Sequence, residues 1–208
     1  MKALFLLVLL LPLFPCAAQS TQDSIRGTFN DYKSAILNDD GERAVGYVDS
    51  RTLAYYGEML DKTKTADSST VDALPIMDKL MVLAIRHRTS RADLLRFDAQ
   101  KLFVYAIEQG MVGKGSVMNI EIGEVTVDGA TARGQFMSNG VPGPVYFGFY
   151  DENGWKVDLT SIFPAANEAF QQMVDESTTN ENEYLIQILE MLTGTSASED
   201  IWQPVTVD

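Results

Sequence analysis

The chain has 208 residues, with 29 Asp plus Glu against 16 Lys plus Arg and one His, a formal net charge of −13 at neutral pH. A balance that acidic repels nucleic acid and anionic lipid, so neither is an expected partner. The single cysteine, Cys16, excludes a disulfide framework, and with only one histidine beside it no metal site or cofactor is expected.

Residues 1–18 carry Lys2, an apolar run over residues 3–11, Pro12 and Pro15, and a small-residue end, Cys16-Ala17-Ala18, before Gln19. That is the pattern of a secretory signal peptide, and it predicts export to a periplasm or to the extracellular space. Its removal would take Lys2 and the only cysteine, leaving a mature chain one unit more negative. Lipid attachment at Cys16 is the competing reading, since Leu13 stands three residues earlier; Phe14 and Pro15 argue against it. The run is too short to cross a bilayer, and no later stretch approaches about 20 apolar residues, so no membrane span is expected.

Ile25, Phe29, Tyr32 and Ile36 recur at helical spacing between Asp23, a predicted cap, and the turn Asn38-Asp39-Asp40-Gly41. That turn lacks the ligand spacing of a calcium loop. A short helix over residues 42–48 and a second over 50–61, striped with Leu53, Tyr56 and Leu60, come next. The polar residues 62–72 read as a loop. Pro75 opens a helix with Ile76, Leu80, Leu83, Ala84 and His87 on one face and Met77, Met81 and Ile85 beside them, which leaves little of it for water. Ser90-x-x-Asp93 reads as a capping box, and Leu94, Leu95, Leu102, Phe103, Tyr105 and Ile107 carry the helical signal on to Gly110.

Residues 116–163 read as four antiparallel strands. Asp128-Gly129 and Asn153-Gly154 supply the positive φ angles of tight hairpin turns. A phase shift between Ile122 and Val125, across Gly123-Glu124, predicts a β-bulge that bends the sheet. The second strand places Ala130, Ala132, Gly134 and Phe136 on one face, small residues that leave room. The third places Val145, Phe147 and Phe149 opposite Tyr146, Gly148 and Tyr150, which predicts a central position. In the last, Trp155, Val157 and Leu159 face the core. Beyond the sheet, Pro164 suits a first helical turn, with Ala166, Phe170 and Met173 as its stripe. Asn180-x-x-Glu183 caps a last helix with Tyr184, Ile188 and Met191 or Leu192 on one side, ended by Gly194. The expected class is α+β: helices packed on a bent, cone-like, four-stranded antiparallel sheet, with two extra C-terminal helices. The chain divides into a leader (1–18), a helix-plus-curved-sheet domain (19–162) and a C-terminal helical extension (163–208).

The helix over residues 32–36 with its Asp39-Asp40-Gly41 turn, the Tyr55-Tyr56 helix and the strand Gly154-Trp155-Lys156-Val157-Asp158-Leu159 resemble the nuclear transport factor 2-like superfamily, also called SnoaL-like. The resemblance covers residues 23–162 and implies helices set against a bent sheet that encloses a pocket. It departs from the commonest members in lacking an early hairpin and in carrying the two C-terminal helices. Members include isomerases, dehydratases and hydrolases as well as non-catalytic ligand-binding or protein-interaction modules. Ketosteroid-isomerase-like members pair a carboxylate base with a tyrosine and a protonated carboxylic acid. Tyr32, Tyr55, Tyr56 and Asp158 are the groups of those types here, and none aligns with a catalytic position.

His87, on an apolar stripe, reads first as a packed core residue and second as a proton-transfer group opening into the cone, with Tyr32 and Tyr56 as companions. Arg86, Arg88, Arg91, Arg96 and Lys101 concentrate positive charge. Helix-dipole stabilisation and pairing with Asp93, Asp98 and Glu108 explain them; a small anion site at Arg86, Arg88 and Arg91 is the sharper reading. The glycine-rich residues 110–116 lead into a strand rather than a helix, which excludes a phosphate loop. Two functions follow: an exported non-enzymatic module binding a small apolar molecule or a protein partner, or a cofactor-free acid–base enzyme of isomerase, dehydratase or hydrolase type acting inside the cone. Convergent polar groups in a pocket favour the enzyme, and a space filled by Met and Phe favours protein binding. Oligomeric state is left open.

Overall fold

The computed structural model describes residues 16–205, so the leader reading falls almost wholly outside the described residues. Helix α1 (Cys16–Leu37) buries the predicted stripe Ile25, Phe29, Tyr32 and Ile36. Asp23 lies within it and pairs with Arg26 at 3.4 Å, so it is not the cap the spacing predicts. Asp40 accepts from the Arg43 amide and starts α2 (Gly41–Val45). Gly41 is required there by close packing: a Cβ would stand 2.5 Å from the Val104 carbonyl oxygen. Asp49 caps α3 (Ser50–Thr65), which runs past the predicted end. The supposed loop contains a further helix, α4 (Ser68–Asp72). Asp67 accepts from the Thr70 amide at 2.8 Å, so the Asp-Ser-Ser composition there is a helix start and not a linker.

Every residue of α5 (Ile76–Arg88) is at least half-buried, as its two apolar stripes predict. Ser90 caps α6 (Arg91–Leu94) as predicted, its Oγ accepting from the Asp93 amide. The Asp93 carboxylate accepts from the Ser90 hydroxyl rather than from its amide, so half of the predicted capping box forms. The continuous helical signal after it is broken, because Asp98 accepts from the Lys101 amide and begins α7 (Ala99–Glu108) anew.

The sheet has the order β1 (Ile120–Asp128), β2 (Thr131–Ser138), β3 (Val141–Asp151), β4 (Trp155–Asp158), all antiparallel. The predicted bulge is present between Ile122 and Val125, and a second register shift lies between Gln135 and Met137. Positive φ at Gly129, Asn153 and Gly154 carries the two predicted turns. A third tight turn, Asn139-Gly140, lets β3 start at Val141, ahead of the predicted Val145, with Pro142 and Pro144 in it. Strand β4 pairs only with Gly148–Asp151, so these prolines stand where β3 has no strand on that side among the described residues. Strand β4 ends at Asp158, whose carboxylate accepts from the Thr160 amide and turns the chain into a 3-10 segment.

The outer strands β1 and β4 are each engaged along their free side. Along the outer side of β1, Lys33 donates to the Ile120 carbonyl (2.9 Å), Arg26 Nη2 to Gly123 (2.9 Å) and Gln22 to Val125 (3.0 Å), all from α1. At β4 the Val157 amide donates to Tyr47 and the Asp49 amide to Val157, an isolated parallel bridge. Backbone groups satisfied in this way are withdrawn from pairing with another chain, while residues 141–147 of β3 keep one side without a strand among the described residues.

The extension forms α8 (Phe163–Asp175), with Pro164 in its first turn, and α9 (Glu181–Thr193), capped by Asn180 and ended by Gly194 at φ 68°. Its stripes differ from the prediction. In α8, Val174 is buried and Met173 exposed; in α9, Leu185 and Leu189 are buried while Met191 and Leu192 are 75% and 73% exposed. Ile201, in a 3-10 turn (Glu199–Trp202), joins the same core.

Candidate functional site

The inner face of the sheet, the side expected to line a cone, carries Ile122, Val125, Ala132, Phe147, Phe149 and Val157, all buried. It is filled by rings. Phe29 of α1 lies 5.1 Å from Phe147 between ring centroids, Phe136 lies 6.1 Å from Phe147, and Tyr56 lies 4.9 Å from Phe103. The room expected beside the small residues of β2 is occupied: a Cβ on Gly134 would stand 2.6 Å from Ile122 Cγ2 and 2.9 Å from a Phe149 ring carbon. What remains is an apolar hollow of about 230 Å³ between Phe136, Val145 and α8, below the roughly 300–1,000 Å³ usual for small-molecule sites.

Tyr32 and Tyr56 belong to that packed interior. Burial pushes both phenols far above their ordinary range, with the Tyr56 phenol adding to the effect at Tyr32. Tyr55 donates to Asp78 Oδ1 at 2.9 Å and stacks edge-on against Phe163, which ties α3 to α5 and α8. Burial, then that hydrogen bond, raises its pKa as well. Asp158 is engaged by the amide and hydroxyl of Thr160. The Tyr55 phenol is taken by Asp78 and the Asp158 carboxylate by Thr160, so the structure does not bring these groups together as a pair.

His87 faces the extension. Its Nε2 lies 3.0 Å from Thr193 Oγ1 and 2.9 Å from Thr195 Oγ1. Arg86 and Arg91 join it around a hollow of about 520 Å³ closed by Ser196, Ser198 and Asp200. Arg86 spends its guanidinium on four carbonyls, those of Lys62, Thr63 and Ala66 at the end of α3 and that of Ile201. Burial lowers its pKa. An arginine has five N–H donors, so little is left for an anion. Arg88 is elsewhere, donating to Gln109 and Gly110 at the end of α7. The helix-end reading of the arginines therefore accounts for Arg86 and Arg88, and Arg96 and Lys101 pair with Asp93 and Asp98 as predicted. Glu108 takes no part in those pairs.

One charged group that spacing alone missed is Lys79, only 3% exposed in the first turn of α5. Its ammonium meets Glu181 at 2.6 Å, Asn182 Oδ1 at 3.2 Å and Asp72 at 3.5 Å, and Asn182 donates onward to Asp72 at 2.6 Å. Those contacts hold the Asp72 carboxyl below its ordinary range, Asn182 first and Lys79 second. The signal that could have found Lys79 is the charge distribution: no Lys, Arg or His follows Lys156, so an acid of the extension that needs a cation must reach back for it. Outside this latch lies a surface groove of about 630 Å³ between α4 and α9, lined by Ser68, Ser69, Asp72, Asn182, Glu183, Ile186, Gln187 and Trp202. Among the described residues no His/Cys/Asp/Glu group is arranged to hold a metal ion, and no helix is long and apolar enough to cross a membrane. No protein-family model, no curated protein and no solved structure matches this chain.

Proposed function

We propose that this protein is an exported, non-catalytic protein-interaction module, akin to the nuclear transport factor 2-like superfamily. The observation that carries the reading is the aromatic filling of the sheet's inner face by Phe29, Phe147 and Phe149, which leaves no enclosed polar recess there for a substrate. Support for the kinship is the covering of a bulged antiparallel sheet by N-terminal helices; support for export is the leader-like composition of residues 1–18. A last quarter without cations, and outer strands β1 and β4 engaged along their free sides, favour side-chain docking on helices as the mode of contact.

Native mass spectrometry of the protein purified from its own source tests this. A second polypeptide at fixed stoichiometry is the expected result. A stoichiometric small molecule in its place would overturn the reading, and loss of that molecule in His87→Leu with folding intact would move the site to the hollow beside Arg86 and Arg91.

A further inference from the structure

Helix α9 is apolar on two sides. Its inner side, Leu185 and Leu189, is buried, and the Lys79 latch fixes its first turn. Its outer side ends in Met191, while Leu192, seven residues after Leu185 and so on the inner line, stands beyond the packed part of the helix. These are the two most exposed large apolar side chains among the described residues. Glu183, Gln187 and Met191 follow one another at i, i+4 and i+8, so the groove wall and the exposed apolar end form one continuous line along the helix. Trp202 and Ile186 give the groove its apolar surface; Asp72 and Glu183 give it its charge. None of its lining residues is a cation.

Resting on the module reading above, we propose that this surface, the α4–α9 groove continued by Met191, docks a cationic amphipathic helix of a partner protein, with Leu192 flanking its end. The partner's apolar stripe would lie on Trp202, Ile186 and Met191, where a large indole and an adaptable thioether accept varied side chains. Its Lys or Arg residues would meet Glu183 and Asp72. Charge selects this occupant over the alternatives. A two-fold contact with a second copy sets each acidic patch against itself, and an anionic bilayer repels a segment that has no Lys or Arg after residue 156. The latch to Lys79 presents α9 in place before any partner arrives, which lowers the ordering cost of binding.

The test is calorimetric titration of the full chain with a synthetic Leu/Lys amphipathic helix of about 18 residues, and with a Leu/Glu counterpart. The Leu/Lys peptide is expected to bind one to one and more weakly at high salt, and the Leu/Glu peptide not to bind. Met191→Gln with Leu192→Gln, and separately Glu183→Lys, should each weaken binding by about tenfold or more. Glu124→Lys, the same charge change on exposed β1, should leave it unchanged. Equal weakening by Glu183→Lys and Glu124→Lys would mean diffuse attraction to an acidic chain and would overturn the assignment. So would binding that survives the Met191/Leu192 change, or a dimer in sedimentation that this change dissolves. A second polypeptide that still co-purifies with the Met191/Leu192 variant would leave the module reading standing and remove only this surface.

Discussion

The sheet with its α1 cover and the C-terminal α8–α9 pair both bury apolar stripes against neighbouring helices, yet different forces hold them. Under α1 the contact is broad: Ile25, Phe29, Tyr32 and Ile36 meet a continuous apolar face, and the polar contacts around it only seal the edges. Under α9 the apolar contact is narrow, Leu185 and Leu189, and discrete polar groups on α5 do much of the fastening: Lys79 to Glu181, Arg86 to the Ile201 carbonyl, His87 to Thr193 and Thr195. Burial of apolar area is non-directional and tolerates little loss of volume. A buried ion pair specifies one placement while adding little net stability. The first region therefore behaves as scaffold and the second as an appendage held in one defined position.

The largest effect should come from the scaffold. Phe149→Ala empties the centre of the inner face and should lower unfolding free energy by about 4 kcal/mol in urea titration; a loss near 1 kcal/mol would mean the face is loosely filled. The same region should govern the alkaline limb of stability. Burial raises the Tyr32, Tyr56 and Tyr55 phenols above their ordinary values, so the folded state resists phenolate. Their contribution is complete below about pH 10 and is lost as pH rises beyond it. Absorbance near 295 nm should show these three ionising only together with loss of ellipticity; ionisation of Tyr32 or Tyr56 in a folded chain would reopen a role for them as accessible groups.

How much of this was readable beforehand differs between the same two regions. The four strands, the bulge at Gly123-Glu124 and the burial of Ile25, Phe29 and Tyr32 all follow from local alternation and turn chemistry, because each is decided by neighbours close in sequence. Asn139-Gly140 carries the same turn signature, but Pro142 and Pro144 mask the strand after it. In α9, periodicity supports Leu185/Leu189 and Ile188/Met191/Leu192 equally well. Only the position of α5, about a hundred residues earlier, decides between them. The contacts of His87 and Lys79 are likewise long-range, and a lysine is rarely assigned to a core.

The latch offers the next test. Glu181→Gln leaves the buried Lys79 ammonium with weaker partners, whereas Lys79→Met removes the charge that is hard to bury and leaves a partly solvated glutamate. The first should cost about 2 kcal/mol and the second about 1 kcal/mol or less. The reverse order would mean that the pair acts as an ordinary surface bridge. Limited proteolysis should cut first near the Glu176–Asn180 connection in Glu181→Gln, since opening the latch frees α9 before the sheet. A smaller change is expected at the sheet edge, where Arg26→Ala with Lys33→Ala should cost about 1 kcal/mol and raise light scattering on mild heating, by exposing the carbonyls of β1.

The smallest effect on stability should come from the side chains that periodicity alone would place in the core. Met191→Gln and Leu192→Gln are expected to change unfolding free energy by no more than about 0.5 kcal/mol, as for surface positions generally. Leu185→Ala, in the packed part of the same helix, should cost about 3 kcal/mol. The contrast measures which side of α9 is packed in solution. If Met191→Gln proved as costly as Leu185→Ala, α9 would be rotated about its axis or covered by another chain. Sedimentation of the wild-type protein separates those two cases: a monomer would mean rotation, and a larger species would mean that the exposed face is already occupied by a copy of this chain.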